Sequence, residues 1–213
     1  MSKTITRLFD DYTDATTAVR DLEALGIPHD DISIVANNAH GHHAGGRDGV
    51  DGDVNEDGDV SRGTSTGALL GGAGGLLAGL GLLAIPGLGP IVAAGWLAAT
   101  AAGAGIGAAG GAATGGLVGA LKNAGHTDED ADVYSEGVRR GGTLVSVKVP
   151  DGDVAQAEAV LDRNRSVDAT TRGAAYREAG WNRFDADAPA YTSDQIDRER
   201  ATYAGGGSTS TRY

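Results

Sequence analysis

Apolar positions recur along this chain with different periods, and each period implies a different element. Between residues 14 and 25, Ala15, Ala18, Val19, Leu22 and Leu25 recur at three- and four-residue spacing, which gathers them on one helical stripe. Thr13 or Asp14 stands where an N-cap belongs, Gly26 offers the αL residue that ends a helix, and Pro28 blocks continuation. Residues 4–9 alternate without a purely polar face and read as a strand, and residues 32–36 form a short buried one. Later in the chain, Thr127 caps a helix running to about residue 140, with Asp128, Glu129 and Asp130 at its positive end and Arg139 and Arg140 at its negative end. Residues 143–149 alternate as a strand. Asp153 opens an amphipathic helix with Val154, Ala157, Val160 and Leu161 facing inward, and residues 167–170 make a last short strand.

Between these halves the pattern changes. From Gly63 to Leu121 there is no Asp, Glu, Lys or Arg. The prolines of Pro86-Gly87-Leu88-Gly89-Pro90 break the run once, into helical arms of about residues 66–84 and 91–121. The first would be about 28 Å long at ~1.5 Å per residue, close to the ~30 Å hydrocarbon core of a bilayer. Gly67, Gly71, Gly75 and Gly79 fall every fourth residue on the first arm, and Gly103, Gly107, Gly111, Gly115 and Gly119 do so on the second. That spacing draws a line without side chains along one face, where another backbone approaches closely. Each glycine costs an aqueous helix about 0.8–1.0 kcal/mol relative to Ala, so tight packing has to offset the loss.

The pattern predicts an α+β protein: a ferredoxin-like βαβ-βαβ domain interrupted by a long glycine-zipper helical hairpin. Its parts are a first half (1–36), a polar loop (37–62), the apolar hairpin (63–122), a second half (123–171) and a tail (172–213). The tail carries Tyr176, Trp181, Phe184 and Tyr191, expected to pack back on the domain or to dock a partner, and Thr192 with Gln195 forms a capping box for a polar helix to about residue 203.

Composition narrows the function. The 213 residues carry a formal net charge of -12, which argues against a general nucleic-acid binder. The absence of cysteine excludes disulfides, a thiolate nucleophile and thiolate metal sites. No nucleophile elbow or phosphate loop occurs, so no enzyme is expected. Asp53, Asn55, Asp57 and Asp59 with Gly58 follow the spacing of a calcium loop, but Thr64 stands where the bidentate Glu belongs, so the site would be weak or simply an acidic linker. His40, His42 and His43 offer imidazoles for a transition metal without any enforced geometry. No other cofactor is expected.

Several segments together resemble a known family. Asp10-Asp11-Tyr12, Ala18-Val19-Arg20-Asp21-Leu22, Gly26-Ile27-Pro28, Leu82 through Pro90, Tyr134 through Val145, and Tyr176-Arg177-Glu178-Ala179-Gly180-Trp181 resemble the bacterial general stress proteins with a heat-induced (YflT-like) domain. The resemblance implies a stress-associated protein of the bacterial cytoplasm or inner membrane, with no catalytic residues to carry over. The expected partner is a lipid bilayer, or other copies of the chain in a homo-oligomer, through the hairpin. An uncharged arm favours the membrane, with both flanking domains in the cytoplasm; the modest hydropathy of the Ala/Gly-rich second arm favours a soluble structural oligomer. Sensing of a small ligand by the α+β domain is a further alternative. If the glycine lines are packing contacts, Gly75→Leu and Gly107→Leu each weaken self-association or hairpin packing by more than about 1 kcal/mol, whereas Gly81→Leu and Gly105→Leu are milder. Crosslinking with thermal unfolding measures this, and stabilisation by the on-line substitutions would remove the packing role, because Leu is the better helix former.

Overall fold

The computed structural model describes residues 2–41, 81–85, 87–106 and 116–204. Strand β1 (Ser2–Phe9) leads through helix α1 (Tyr12–Ala24) and a 3-10 turn (His29–Asp31) to β2 (Ile32–Asn37). Then come β3 (Gly81–Ile85), β4 (Gly89–Ala94), α2 (Trp96–Ile106), α3 (Gly116–Asn123) and α4 (Asp128–Arg139). The chain finishes with β5 (Thr143–Pro150), α5 (Val154–Arg163), α6 (Ala169–Glu178) and α7 (Ser193–Ala204). The architecture is α+β, with five strands in one antiparallel sheet ordered β1-β5-β2-β4-β3.

Helix starts follow side-chain chemistry. Thr127 Oγ1 accepts from Asp130 N at 3.1 Å and Asp168 Oδ1 from Thr171 N at 2.7 Å. The cap of α1 is Asp11, whose carboxylate accepts from Thr13 N at 2.7 Å, rather than Thr13 or Asp14. Asp153 holds the N-cap position of α5 without a side-chain hydrogen bond. The Thr192–Gln195 box forms as the spacing predicts, with Thr192 N donating to Gln195 Oε1 at 2.9 Å.

Both sheet faces are covered. One carries α1 and α5 over Ile5, Phe9, Ile34, Val145 and Val147. The other carries α2, α3, α4 and α6 over Leu8, Val35, Ile91 and Leu144. Alternation along β5 sends Leu144 to one layer and Val145, Val147 and Val149 to the other, as a strand's two-residue period requires.

The apolar segment departs from the helical hairpin expected of it. Strands β3 and β4 pair as a β-hairpin, with Leu83 opposite Ile91, and β4 extends the sheet by pairing Val35 with Ala93. The physical reason is local. Ile91 and Val92 are β-branched, Pro90 has no N–H to give a helix, and Gly87 and Gly89 turn the chain at φ 75 and 80. Beyond β4, the described part of the second arm lies in helices α2 and α3, whose Leu97, Ala98, Ala101, Leu117, Ala120 and Leu121 are buried against the domain. Among the described residues no helix is long and apolar enough to cross a membrane. Gly103 lies in α2 and Gly119 in α3; Gly67, Gly71, Gly75, Gly79, Gly107, Gly111 and Gly115 lie outside the described residues. Residues 167–170 make only a single bridge, Val167 to Leu8, because the Asp168 cap turns the chain into α6.

The hairpin is joined to α2 by Gly95, which has φ 87 and lies so close to β2 that a Cβ would overlap the Ile32 carbonyl oxygen and approach Ser33 Cα at 2.8 Å. Gly26 shares the same φ of 87 but faces open space. Gly26→Ala therefore carries backbone strain alone, about 1–2 kcal/mol. Gly95→Ala adds steric overlap and is expected to cost at least about 3 kcal/mol. Urea unfolding of the two variants checks the order; equal losses would show that the approach of Gly95 to β2 is not a packing constraint.

Candidate functional site

Helix α4 ends in Arg139, followed by Arg140-Gly141-Gly142, and cations at this terminus complement its partial negative charge. Glu136, one turn earlier, has no exposed surface. It is held by both arginines: Arg140 Nε donates to Oε1 at 2.7 Å, and Arg139 Nη2 lies 2.8 Å from Oε2. Removing one partner of such a buried pair costs about 3–5 kcal/mol, since the other charge is left uncompensated. The cluster extends to elements distant in sequence. Arg140 Nη1 reaches Glu199 of α7 at 2.9 Å, Arg200 Nη2 donates to the Gly141 carbonyl at 2.8 Å, and Arg172 of α6 binds both oxygens of Asp10 at 2.8 and 2.7 Å.

Aromatic rings complete the cluster. The Arg140 guanidinium lies 4.3 Å from the Tyr176 ring centroid, and Arg139 lies 5.7 Å from Phe184 and 5.2 Å from Tyr191. Trp181 and Phe184 are buried, so the tail aromatics pack back on the domain. Burial disfavours the charged form of Arg140, but the Glu136 hydrogen bond and the Glu136 and Glu199 charges outweigh it and raise its pKa well above the ordinary value. Beside these groups is a small cavity lined by Arg140, Arg172, Arg200, Tyr176 and Asp10.

A second polar group lies within the sheet. Thr6 and Ser146 face each other across the β1–β5 ladder with hydroxyls 2.9 Å apart, and Thr6 Oγ1 is 2.7 Å from His126 Nε2. Tyr134 donates to the Thr6 carbonyl at 2.7 Å and accepts from Ala169 N at 3.2 Å, and burial pushes its phenol up to about 12. His126 meets the Tyr134 ring edge-on at 5.8 Å. A cleft of about 300 Å³ lies elsewhere, among Leu25, Ile27, Pro28, Asp31, Lys148 and Gln156.

Few of the residues singled out in the sequence fall in these groups. His40 Nε2 is 3.2 Å from an Asp197 carboxylate oxygen of α7. His42, His43 and the calcium-loop residues Asp53, Asn55, Asp57 and Asp59 lie outside the described residues. Among the described residues no cluster of three or more His, Asp or Glu could hold a metal ion. Arg139 and Arg140 entered the sequence reading only as helix-end charges. No protein-family model, curated protein or solved structure matches the chain.

His126 gives a pH dependence whose sign is fixed. Burial is the largest influence and lowers its pKa below the ordinary 6.5; Asp130 opposes this and Arg7 adds to it. The unfolded chain then binds the proton more readily, so the His126 contribution is complete above pH 6.5 and declines as pH falls through the depressed folded-state value. Urea unfolding between pH 7.5 and about 5 should show stability falling with pH in the wild type and a flatter slope in His126→Asn. An unchanged slope in the variant would assign the dependence to another group.

Proposed function

We propose that this chain is a non-enzymatic general stress protein that works by self-association, with its apolar segment serving both as domain cover and as assembly surface. The observation that carries this reading is strand β3. Among the described residues it is the outermost strand of the sheet, reads Gly-Leu-Leu-Ala-Ile without a charge, and leaves Leu82 62% exposed. An apolar, uncharged edge is a template for pairing with another chain, and natural sheets usually guard such edges with Lys, Pro or bulges. A second copy pairing there across a two-fold axis would continue the sheet from one protomer to the next.

The finer fold is part of the proposal. β1-α1-β2 and β5-α5-Val167 are read as the two halves of a ferredoxin-like unit, because β1 and β2 flank β5 and Val167 adds to the outer side of β1. The segment between the halves is then an insertion that adds a hairpin to one sheet edge and helices to one face. The glycine lines are contacts for close helix packing in the assembled form. The family resemblance supports the stress-response role, and the lack of a recognisable catalytic motif supports a non-enzymatic one. The 300 Å³ cleft is the place where a small-ligand role would reside.

A second reading, attachment to the cytoplasmic side of the bacterial inner membrane, rests on the uncharged stretch that precedes β3. Light scattering after gel filtration separates the two. Oligomers in the wild type that become monomers in Leu82→Lys, with unfolding free energy changed by less than about 0.5 kcal/mol, support assembly through β3. A wild type that is monomeric in buffer and survives carbonate extraction in the membrane pellet overturns it in favour of the bilayer.

A further inference from the structure

The cavity beside the arginine cluster has a chemistry that the self-association reading does not use. Three arginines line it: Arg140 just beyond the end of α4, Arg172 from α6 and Arg200 from α7. Glu136 and Glu199 hold Arg140, and the one carboxylate lining the cavity is Asp10. Arg200 Nε is buried and makes no hydrogen bond with the described residues. Gly142, which also lines the space, adds no side chain to the wall. The remaining volume of about 10 Å³ admits roughly one water.

Asp10 differs from the groups around it. Its side chain is 41% exposed, whereas that of its partner Arg172 is 4% exposed. It stands in the short turn between β1 and α1, so rotation about its own side-chain bonds takes the carboxylate into solvent while the backbone stays in place. The space of one carboxylate plus one water suits one tetrahedral oxyanion. Planar guanidinium forks match phosphate oxygens in pairs, and a dianion in contact with several arginines interacts more strongly than a single carboxylate.

We propose that this cavity binds a phosphate-class oxyanion, with Asp10 as its resident placeholder, and that the bound anion fastens α7 to α4 and α6. The second part follows from the first. Arg200 belongs to α7, so an anion that needs Arg200 binds the docked tail better than the undocked one, and by linkage its binding favours docking. Ile196, with no exposed surface, and the Arg200 bond to the Gly141 carbonyl hold the tail in place before the anion arrives. The oxyanion has two natural sources, free phosphate and a phosphate monoester.

Calorimetric titration of the full chain in low-chloride buffer tests this, using inorganic phosphate and adenosine monophosphate as separate probes. Phosphate is expected to bind the wild type, to bind Asp10→Asn at least about tenfold tighter, and to bind Arg200→Gln at least about tenfold more weakly. Equal binding of the nucleotide admits a monoester, and binding of phosphate alone assigns the free ion; both support the site. Hydrogen exchange over residues 193–204 should slow on saturation with phosphate in the wild type. Because Asp10→Asn takes the carboxylate from a buried arginine, thermal shift provides a second reading: phosphate should raise its Tm by more than that of the wild type. Asp10→Asn binding phosphate no tighter than the wild type with no larger shift in Tm, or Arg200→Gln binding it as well as the wild type, would overturn the proposal.

Discussion

A central strand with both faces out of water needs apolar cover twice, and this constraint shapes the whole fold. β5 lies between β1 and β2, and its Leu144 and Val145 belong to opposite core layers. The amphipathic helices α1 and α5 cover one face. On the other, α4 and α6 are joined by α2 and α3 from the uncharged segment, whose leucines and alanines take the place that a charged chain of net -12 would otherwise leave to water. The described part of the uncharged segment thus buries many of its apolar side chains within the domain. Burial of this kind supplies roughly 25 cal/mol per Å² of apolar surface removed from water.

Where the sequence carries a local signal, the structure follows it. The stripe Ala15–Val19–Leu22, the Thr127 cap with three acids behind it, the alternation of β5 and the Thr192–Gln195 box each depend on residues within one or two turns of each other. Strand β3 carries no such signal, unlike β4 with its β-branched Ile91 and Val92 and its glycine turn. Gly-Leu-Leu-Ala-Ile has no polar position to set a period, so a buried strand and a buried helix look alike, and the choice is made by β2, whose free side β4 pairs with. The arginine cluster was illegible for a different reason. Its partners Asp10, Glu136, Arg172 and Glu199 come from four separate segments, and the one hint, two adjacent arginines before Gly141-Gly142, is already explained by a helix end.

The same cluster makes the tail part of the domain. Arg139 and Arg140 turn their guanidinium faces to Tyr176, Phe184 and Tyr191 while their edges hold carboxylates, so one pair of side chains joins α4 to α6, to the segment before α7 and to α7 itself. Buried charge of this kind depends on complete pairing, and Glu136 is the member whose position is shielded from solvent on every side.

The pairing of β1 with β5 has a consequence for how the protein is made. Among the described strands, residues 2–9 pair with residues 143–150, so the first strand synthesised waits for the last. At about 5–20 residues per second the delay is on the order of ten seconds or more, and the uncharged segment is synthesised within it, before any completed sheet exists for it to cover. Closing a loop of that length is slow, and unsatisfied apolar strands are the species most prone to aggregate. The long separation of β1 from β5 therefore leaves the apolar middle of the chain without its sheet until the C-terminal third has been made.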